Sequence, residues 1–340
     1  MSSRDWRRLD ESDVRVRPGK GTRPRSKRRP DHAEATSAMV IGKDRGRWTC
    51  AVDRDPDRLV VAMRARELGR TPVVVGDQVD LVGDVSGTTD TLARIVRVAE
   101  RTSVLRRTAD DTDPYERVVV ANAEILVIVT ALADPPPRTG FIDRALVAAY
   151  AGKLRPLLCL TKSDLARPDE LLAAYRDLDL TVVVTRHDQP PDDLRAHLAD
   201  RVSALVGHSG VGKSTLVNEL VPDADRTIGA VSSVGKGRHT SVTAVALPLP
   251  GGGWVVDTPG VRSFGLAHVS SDDIVAAFEE FVEPAEECPP GCGHLGPPQD
   301  PDCHLDDVVA EGAASAGRLA SLRRLLASRA GIDDRAETRE

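Results

Sequence analysis

The chain has 340 residues, 41% hydrophobic and only 3% aromatic; that supports packed cores of Val, Leu, Ala and Ile and is too long for one ordinary domain. No apolar run approaches the ~20 residues of a membrane span and the first residues carry no secretory-signal pattern, so the expectation is a cytoplasmic protein with no membrane partner. The net charge of −6 is uneven, because residues 1–30 hold 11 Lys/Arg against 4 Asp/Glu and the rest of the chain is strongly acidic.

Residues 1–35 read as a basic arm. From Val14 to Pro30 there are eight basic residues and no acidic one, and such a run cannot bury apolar surface, so disorder is expected. Two readings stay open: a solvated tail, or an arm that lies on nucleic-acid phosphates and gains by counterion release.

Over residues 36–108 five short strand-like runs follow one another: Met39–Gly42, Trp48–Val52, Leu59–Met63, Gln78–Val82 and Thr91–Val98. Gly, Asp and Pro separate them and no helical pattern intervenes. That suits a small β-barrel of OB type, with an SH3-like barrel as the other topology.

From Ala121 the pattern changes. Apolar runs at Ile125–Val129, Pro156–Leu160, Thr181–Val184 and Val202–Val206 alternate with helical stretches at Ile142–Ala151, Asp169–Leu178 and Asp192–Asp200. This predicts a parallel α/β sheet covered on both faces over residues 115–266. Ser241–Leu249 and Trp254–Val256 add a hairpin turning at Gly251–Gly253. From Val269 the chain is helical, then passes through a Pro/Gly-rich knot at 288–303 and a second helix near Gly317–Ser328. This makes a third small domain, 267–330, before a tail at 331–340.

The chemistry-bearing motifs sit in the α/β part. Gly207-His208-Ser209-Gly210-Val211-Gly212-Lys213-Ser214 fits G-x-x-x-x-G-K-[ST] between the strand ending at Val206 and a helix over Thr215–Leu220. The glycines let successive N–H groups face phosphate oxygens, and the helix N-terminus adds positive potential. Lys213 is expected on the β/γ-phosphates and the Ser214 hydroxyl on Mg²⁺. Asp257-Thr258-Pro259-Gly260 fits D-x-x-G, with Asp257 on the Mg²⁺ side through a water and the Gly260 N–H on the γ-phosphate. Between them, Gly235-Lys236-Gly237-Arg238-His239-Thr240 reads as a loop that orders on nucleotide, with Thr240 as a second hydroxyl ligand of Mg²⁺. Thr161-Lys162-Ser163-Asp164 follows a buried strand and fits [NT]-K-x-D, the guanine reader of GTP-binding proteins. Asp164 would accept from the N1–H and 2-amino groups, which adenine lacks, and the Lys162 stem would pack along the base. Thr185 is a further base-side candidate. The base motif precedes the phosphate loop, the reverse of the usual order. A parallel sheet tolerates that if old termini are joined and new ones opened.

Cys50 and Cys159 lie in strand-like runs and read as core thiols. Cys288, Cys292, His294 and Cys303 supply three sulfurs and a nitrogen, a donor set for one tetrahedral Zn²⁺. Adjacent His304 competes as a ligand. Arg318, Arg323, Arg324 and Arg329 on the last helix read either as a solvated face or as an RNA contact.

On these motifs, over about residues 38–330, the chain resembles the bacterial circularly permuted, ribosome small-subunit-dependent GTPases. The Cys/His spacing departs from that family, with a first gap shorter by one and a longer last gap. The resemblance implies an OB-like barrel, then a circularly permuted P-loop α/β GTPase domain, then a small α-helical zinc-binding domain. It implies a monomeric GTP hydrolase using GTP, Mg²⁺ and Zn²⁺, with the small (30S) ribosomal subunit and its rRNA as partners in late subunit maturation. The alternative is an RNA-binding scaffold in which GTP binding, not turnover, is the signal. After D-x-x-G many GTPases carry a water-orienting glutamine, and here that position is Val261. Slow intrinsic hydrolysis is expected, completed in cis by His239 with Lys213, or by an element of the ribosome. The GTP-contacting set is expected to be Thr161–Asp164, Gly207–Ser214, Thr215, Asp257 and Gly260.

Overall fold

The computed structural model describes residues 32–69, 71–88, 91–108, 116–222, 224, 244–258 and 265–331. The described residues from Glu34 onward form one compact unit.

The first element is a closed five-stranded barrel of β1 (Thr36–Asp44), β2 (Arg47–Val52), β3 (Leu59–Arg64), β4 (Gln78–Gly83) and β5 (Ala93–Val98), in the order β1-β2-β3-β5-β4. β3 and β5 pair in parallel while the other ladders are antiparallel. That closure is the OB arrangement, which removes the SH3-like alternative. The period-2 alternation of β1 serves two cores at once. Ala38 and Val40 fill the barrel with Trp48, Cys50 and Ile95. Met39 and Ile41 face outward into the core of the α/β part, and Ile41 sits at a bulge in the β1–β2 ladder. Beneath the barrel, the buried Asp77 carboxylate takes Arg101 at 2.7 and 2.9 Å and the Val74 amide at 2.8 Å. Gly76 (φ 90°) must be glycine, because a Cβ there would lie 1.9 Å from the Ala121 carbonyl.

A two-stranded antiparallel pair, β6 (Val104–Arg107) and β7 (Arg117–Ala121), follows; the sequence reading left these residues unassigned. The six-stranded sheet is built from β8 (Ile125–Ala131), β9 (Arg155–Thr161), β10 (Thr181–Val184), β11 (Val202–Val206), β12 (Val245–Pro248) and β13 (Trp254–Asp257), in the order β10-β9-β8-β11-β13-β12. Only β12 is antiparallel, through the expected hairpin at Gly251–Gly253. Every residue of β8 is buried. Ile125, Val127 and Val129 face one core with Leu194, Leu198, Leu216 and Leu220, on α3 (Asp192–Leu198) and α4 (Lys213–Leu220). Leu126 and Ile128 face the other with Ile142, Leu146 and Tyr175, on α1 (Thr139–Ala151) and α2 (Asp169–Tyr175). An unbroken apolar run is what a doubly covered parallel strand requires.

The C-terminal helices are α5 (Ser271–Val275), α6 (Glu279–Glu286), α7 (Leu305–Ala310) and α8 (Ala316–Arg329). Ser270 caps α5 with a reciprocal Ser270–Asp273 box. α8 lays Leu319, Leu322, Leu325 and Leu326 into the core that holds α1. Its arginines correct the reading of a solvated face. Arg318 bonds Glu280 at 2.6 Å and lies over the Phe278 ring. Arg323 grips Asp306 with two bonds of 2.7 Å. Arg324 reaches Asp143 at 3.2 Å and the Ala174 carbonyl at 2.8 Å, over the Tyr175 ring. Arg329 donates to the Val269 carbonyl at 2.7 Å. Four cations on one helix look like a solvated stripe, yet each is a clamp on a neighbouring segment. No helix among the described residues is long and apolar enough to cross a membrane.

Candidate nucleotide site and metal cluster

The phosphate-loop residues connect β11 to α4 as expected. Gly210 and Gly212 take φ of 83° and 89°, the left-handed region that lets the loop close on itself and that other residues adopt at a cost. Gly207 passes so close to β8 that a Cβ would meet the Val129 carbonyl at 2.6 Å. His208 lies against Phe141, ring centroids 4.2 Å apart. Burial, and secondarily Arg138, lowers its pKa.

Parallel pairing sets Asp257, at the end of β13, beside Leu205 of β11, and so beside the phosphate loop. Lys213 donates to the Asp257 carboxylate at 2.5 Å and to the Thr258 carbonyl at 3.3 Å. Thr258 is buried and its hydroxyl donates to the Leu205 carbonyl at 2.5 Å, which fixes the strand end from which D-x-x-G departs. A cavity of about 540 Å³ is lined here by Lys162, Gly207–Gly210, Gly212–Thr215 and Asp257.

The base motif lies one strand beyond β8, at the end of β9. The Thr161 hydroxyl donates to the Val211 carbonyl at 2.6 Å, inside the protein. The residue opening the base motif is therefore hydrogen-bonded to the phosphate loop 50 positions away. Lys162 takes φ 57° and its ammonium donates to the Asp134 carbonyl. The Ser163 amide reaches the Thr185 carbonyl at 3.4 Å. A second cavity, about 310 Å³, is lined by Lys162, Asp164, Leu165, Thr185, His187 and Glu219 among others, and it shares Lys162, Gly212 and Thr215 with the first. Two adjoining cavities, one of phosphate-loop groups and one ending in a carboxylate, together match a ligand with an anionic and a heterocyclic end. His239, Thr240, Gly260 and Val261 lie outside the described residues.

Sequence reasoning missed several contributors. Asp134 and Phe141 belong to the loop and helix after β8, with no motif signal. Glu219 lies on the phosphate-loop helix and pairs with His187 at 3.1 Å, which only the folded sheet brings near the base motif.

In the C-terminal segment, the donor atoms of Cys288, Cys292, His294 and Cys303 all lie within 4.8 Å of one another. The His294 Nδ1 stands 3.6 Å from Cys292 Sγ and 4.0 Å from Cys303 Sγ. Tetrahedral zinc, with bonds of ~2.3 Å to sulfur and ~2.0 Å to nitrogen, sets such atoms about 3.5 Å apart, so the residues fit that ion. Around them, Asp300 accepts from the Gly293 amide at 3.2 Å and the Leu295 amide at 2.8 Å, and Arg323 donates to the His294 carbonyl at 3.3 Å. His304 is directed elsewhere, to Asp307 at 3.2 Å and Glu287 at 3.4 Å, so it is not in the cluster.

The family described as RsgA GTPase matches residues 98–267. The "Small ribosomal subunit biogenesis GTPase RsgA" of Chlorobaculum parvum is 37% identical over 282 residues, 80% of this chain and 90% of that protein. The protein of the same name from Pseudomonas aeruginosa PAO1 is 40% identical over 75% of this chain and 76% of that one. Among solved structures, YjeQ from Thermotoga maritima superposes with a TM-score of 0.62 at 23% identity, covering 87% of this chain and 99% of that one. YloQ, titled a circularly permuted GTPase, gives 0.61 at 22% identity over 91% and 98%. The fold of this chain is thus shared with a structure titled a circularly permuted GTPase. This chain belongs to the RsgA GTPase family and is a GTP hydrolase.

Proposed function

We propose that the protein acts in biogenesis of the small ribosomal subunit, binding that subunit through its rRNA as a cytoplasmic monomer and hydrolysing GTP slowly until the subunit stimulates it. The observation that carries this reading is the match to relatives bearing that role in their names over most of both chains. In this reading residues 36–108, 115–266 and 267–330 are the barrel, nucleotide and zinc domains.

The residues divide the work as follows. Asp164 and the Lys162 stem hold guanine, with Thr161 and Ser163 fixing the turn. The amides of Gly207–Thr215 wrap the phosphates. Ser214 and Asp257 line the same cavity as Lys213, a hydroxyl-and-carboxylate set that fits Mg²⁺, with Thr240 completing it; the ion would draw charge off the β/γ-phosphates. Lys213 leaves Asp257 for the phosphates, freeing the carboxylate for the metal side. The Gly260 N–H meets the γ-phosphate. His239 orients the attacking water in cis, since Val261 has no group to do so. Zn²⁺ held by Cys288, Cys292, His294 and Cys303 would be structural, because four protein ligands fill its shell.

Co-sedimentation with purified small subunits tests the partner. Binding is expected in the presence of a non-hydrolysable GTP analogue and weaker with GDP; no nucleotide-dependent binding would refute it. Substituting His239→Ala should remove subunit-stimulated turnover while leaving binding intact, and unchanged turnover would refute the assignment of His239.

A further inference from the structure

Apart from the two cavities at the nucleotide motifs, a cavity of about 280 Å³ opens among the start of β6, the C-terminal turn of α1 and the turn leading into α5. The backbones there are locked together. The Val104 amide donates to the Gly152 carbonyl at 2.9 Å, and a Cβ on Gly152 would lie 2.5 Å from the Val104 carbonyl. The wall includes Arg101, Arg106, Lys153 and His268, with Asp273 as its carboxylate.

The charges of that wall are unequal. Arg101 is held rigid by Asp77, whose side chain is fully buried and does not line the cavity. Arg106 pairs through one nitrogen with exposed Glu116 at 2.8 Å, also off the wall. Lys153 is exposed at the end of α1, and no carboxylate pairs with it among the described residues. Asp273 is engaged by the Ser270 amide at 2.8 Å and the Ser270 hydroxyl at 2.7 Å as the helix cap. One polar atom remains: His268 Nδ1 is buried and has no hydrogen-bond partner among the described residues. An orphaned buried ring nitrogen is costly, and a ligand oxygen would satisfy it once the ring turns toward the cavity that His268 lines.

We propose that this cavity binds a phosphoryl group, with Lys153 and Arg106 supplying charge and the His268 Nδ1–H donating to a phosphoryl oxygen. The group can come from a free phosphate-bearing ligand or from the backbone of an RNA. The site is distinct from the nucleotide pocket and stands whether or not the ribosomal reading does. It also adjoins the return of the D-x-x-G segment: three residues before His268, the Gly265 carbonyl accepts from the Thr108 amide at the end of β6, at 3.3 Å.

The full chain, saturated with GDP and Mg²⁺ so that the nucleotide pocket is filled, is titrated with inorganic phosphate and separately with a short single-stranded RNA. The ring resonances of His268, assigned through His268→Gln, are followed. A saturable shift is expected with at least one probe. Phosphate alone identifies a free ligand, and RNA identifies the backbone. Lys153→Glu, an exposed change, should weaken that response about tenfold, or ~1.4 kcal/mol, at unchanged GDP affinity and melting temperature. A resonance that stays still with both probes, shifts without saturating, or responds equally in Lys153→Glu overturns the proposal.

Discussion

Thr161 shows at the scale of one residue how the base motif and the phosphate loop are made into one site. Its buried hydroxyl donates to the Val211 carbonyl, so Thr161→Val keeps the shape and orphans an acceptor. A loss of ~1–3 kcal/mol in stability is expected, with weaker GTP binding, read by denaturant melts and nucleotide titration. Asp164→Asn should weaken GTP by about tenfold or more and shift preference toward xanthine nucleotides, since the amide presents a donor where guanine needs an acceptor; competition binding measures it. His208 carries a pH dependence. Its pKa is lowered in the folded chain, first by burial and then by Arg138, so the unfolded chain binds more protons below the usual ~6.5. The stabilisation is therefore present above that value and is lost as pH falls through the folded-state pKa. Melting temperatures across pH 5–8 should drop less steeply for His208→Gln than for the parent chain. The motif residues themselves were legible in sequence because their chemistry requires fixed local spacing. Glu219, Asp134 and the α8 arginines were not, because their partners lie 17 to 181 positions away and local spacing carries no record of such pairs.

Elements tell a similar story with different errors. The barrel strands and the alternating sheet were readable because burial on one face or two leaves period-2 or unbroken apolar runs. Helix ends were read too far: Asp169–Leu178 stops at Tyr175 and Asp192–Asp200 at Leu198, since nothing in the last turns distinguishes a frayed end from a loop. β6 and β7 were missed because each is short, is rich in Arg and Val, and is defined by its partner. The Cys/His knot was legible as a donor set, while its support was not. Asp300 accepts two amides of the turn that carries His294. Asp300→Ala should therefore leave all four ligands in place and yet release zinc to a chelator at least about tenfold faster, by analogy with other outer-shell changes. Colorimetric zinc release would check it, and unchanged kinetics would count against a positioning role.

At the scale of the whole molecule, the consequence of permutation is where the chain goes after D-x-x-G. It returns at Gly265, hydrogen-bonded to Thr108 beyond the barrel, and passes into α5 and the helices that share a core with α1. A change at the γ-phosphate end of the site thus has a covalent path to the zinc side of the protein and a hydrogen-bonded one to the barrel side. Hydrogen exchange over 265–330 should differ between GDP and GTP-analogue complexes. The central claim, that this is a GTPase whose turnover answers to the small ribosomal subunit, is tested most directly by GTP hydrolysis rates with and without purified small subunits, with Ser214→Ala as the inactive control. The account predicts slow turnover alone, a large acceleration by the subunit and none in Ser214→Ala. Turnover that the subunit leaves unchanged while still binding the GTP form would contradict it and favour a scaffold that uses GTP binding alone.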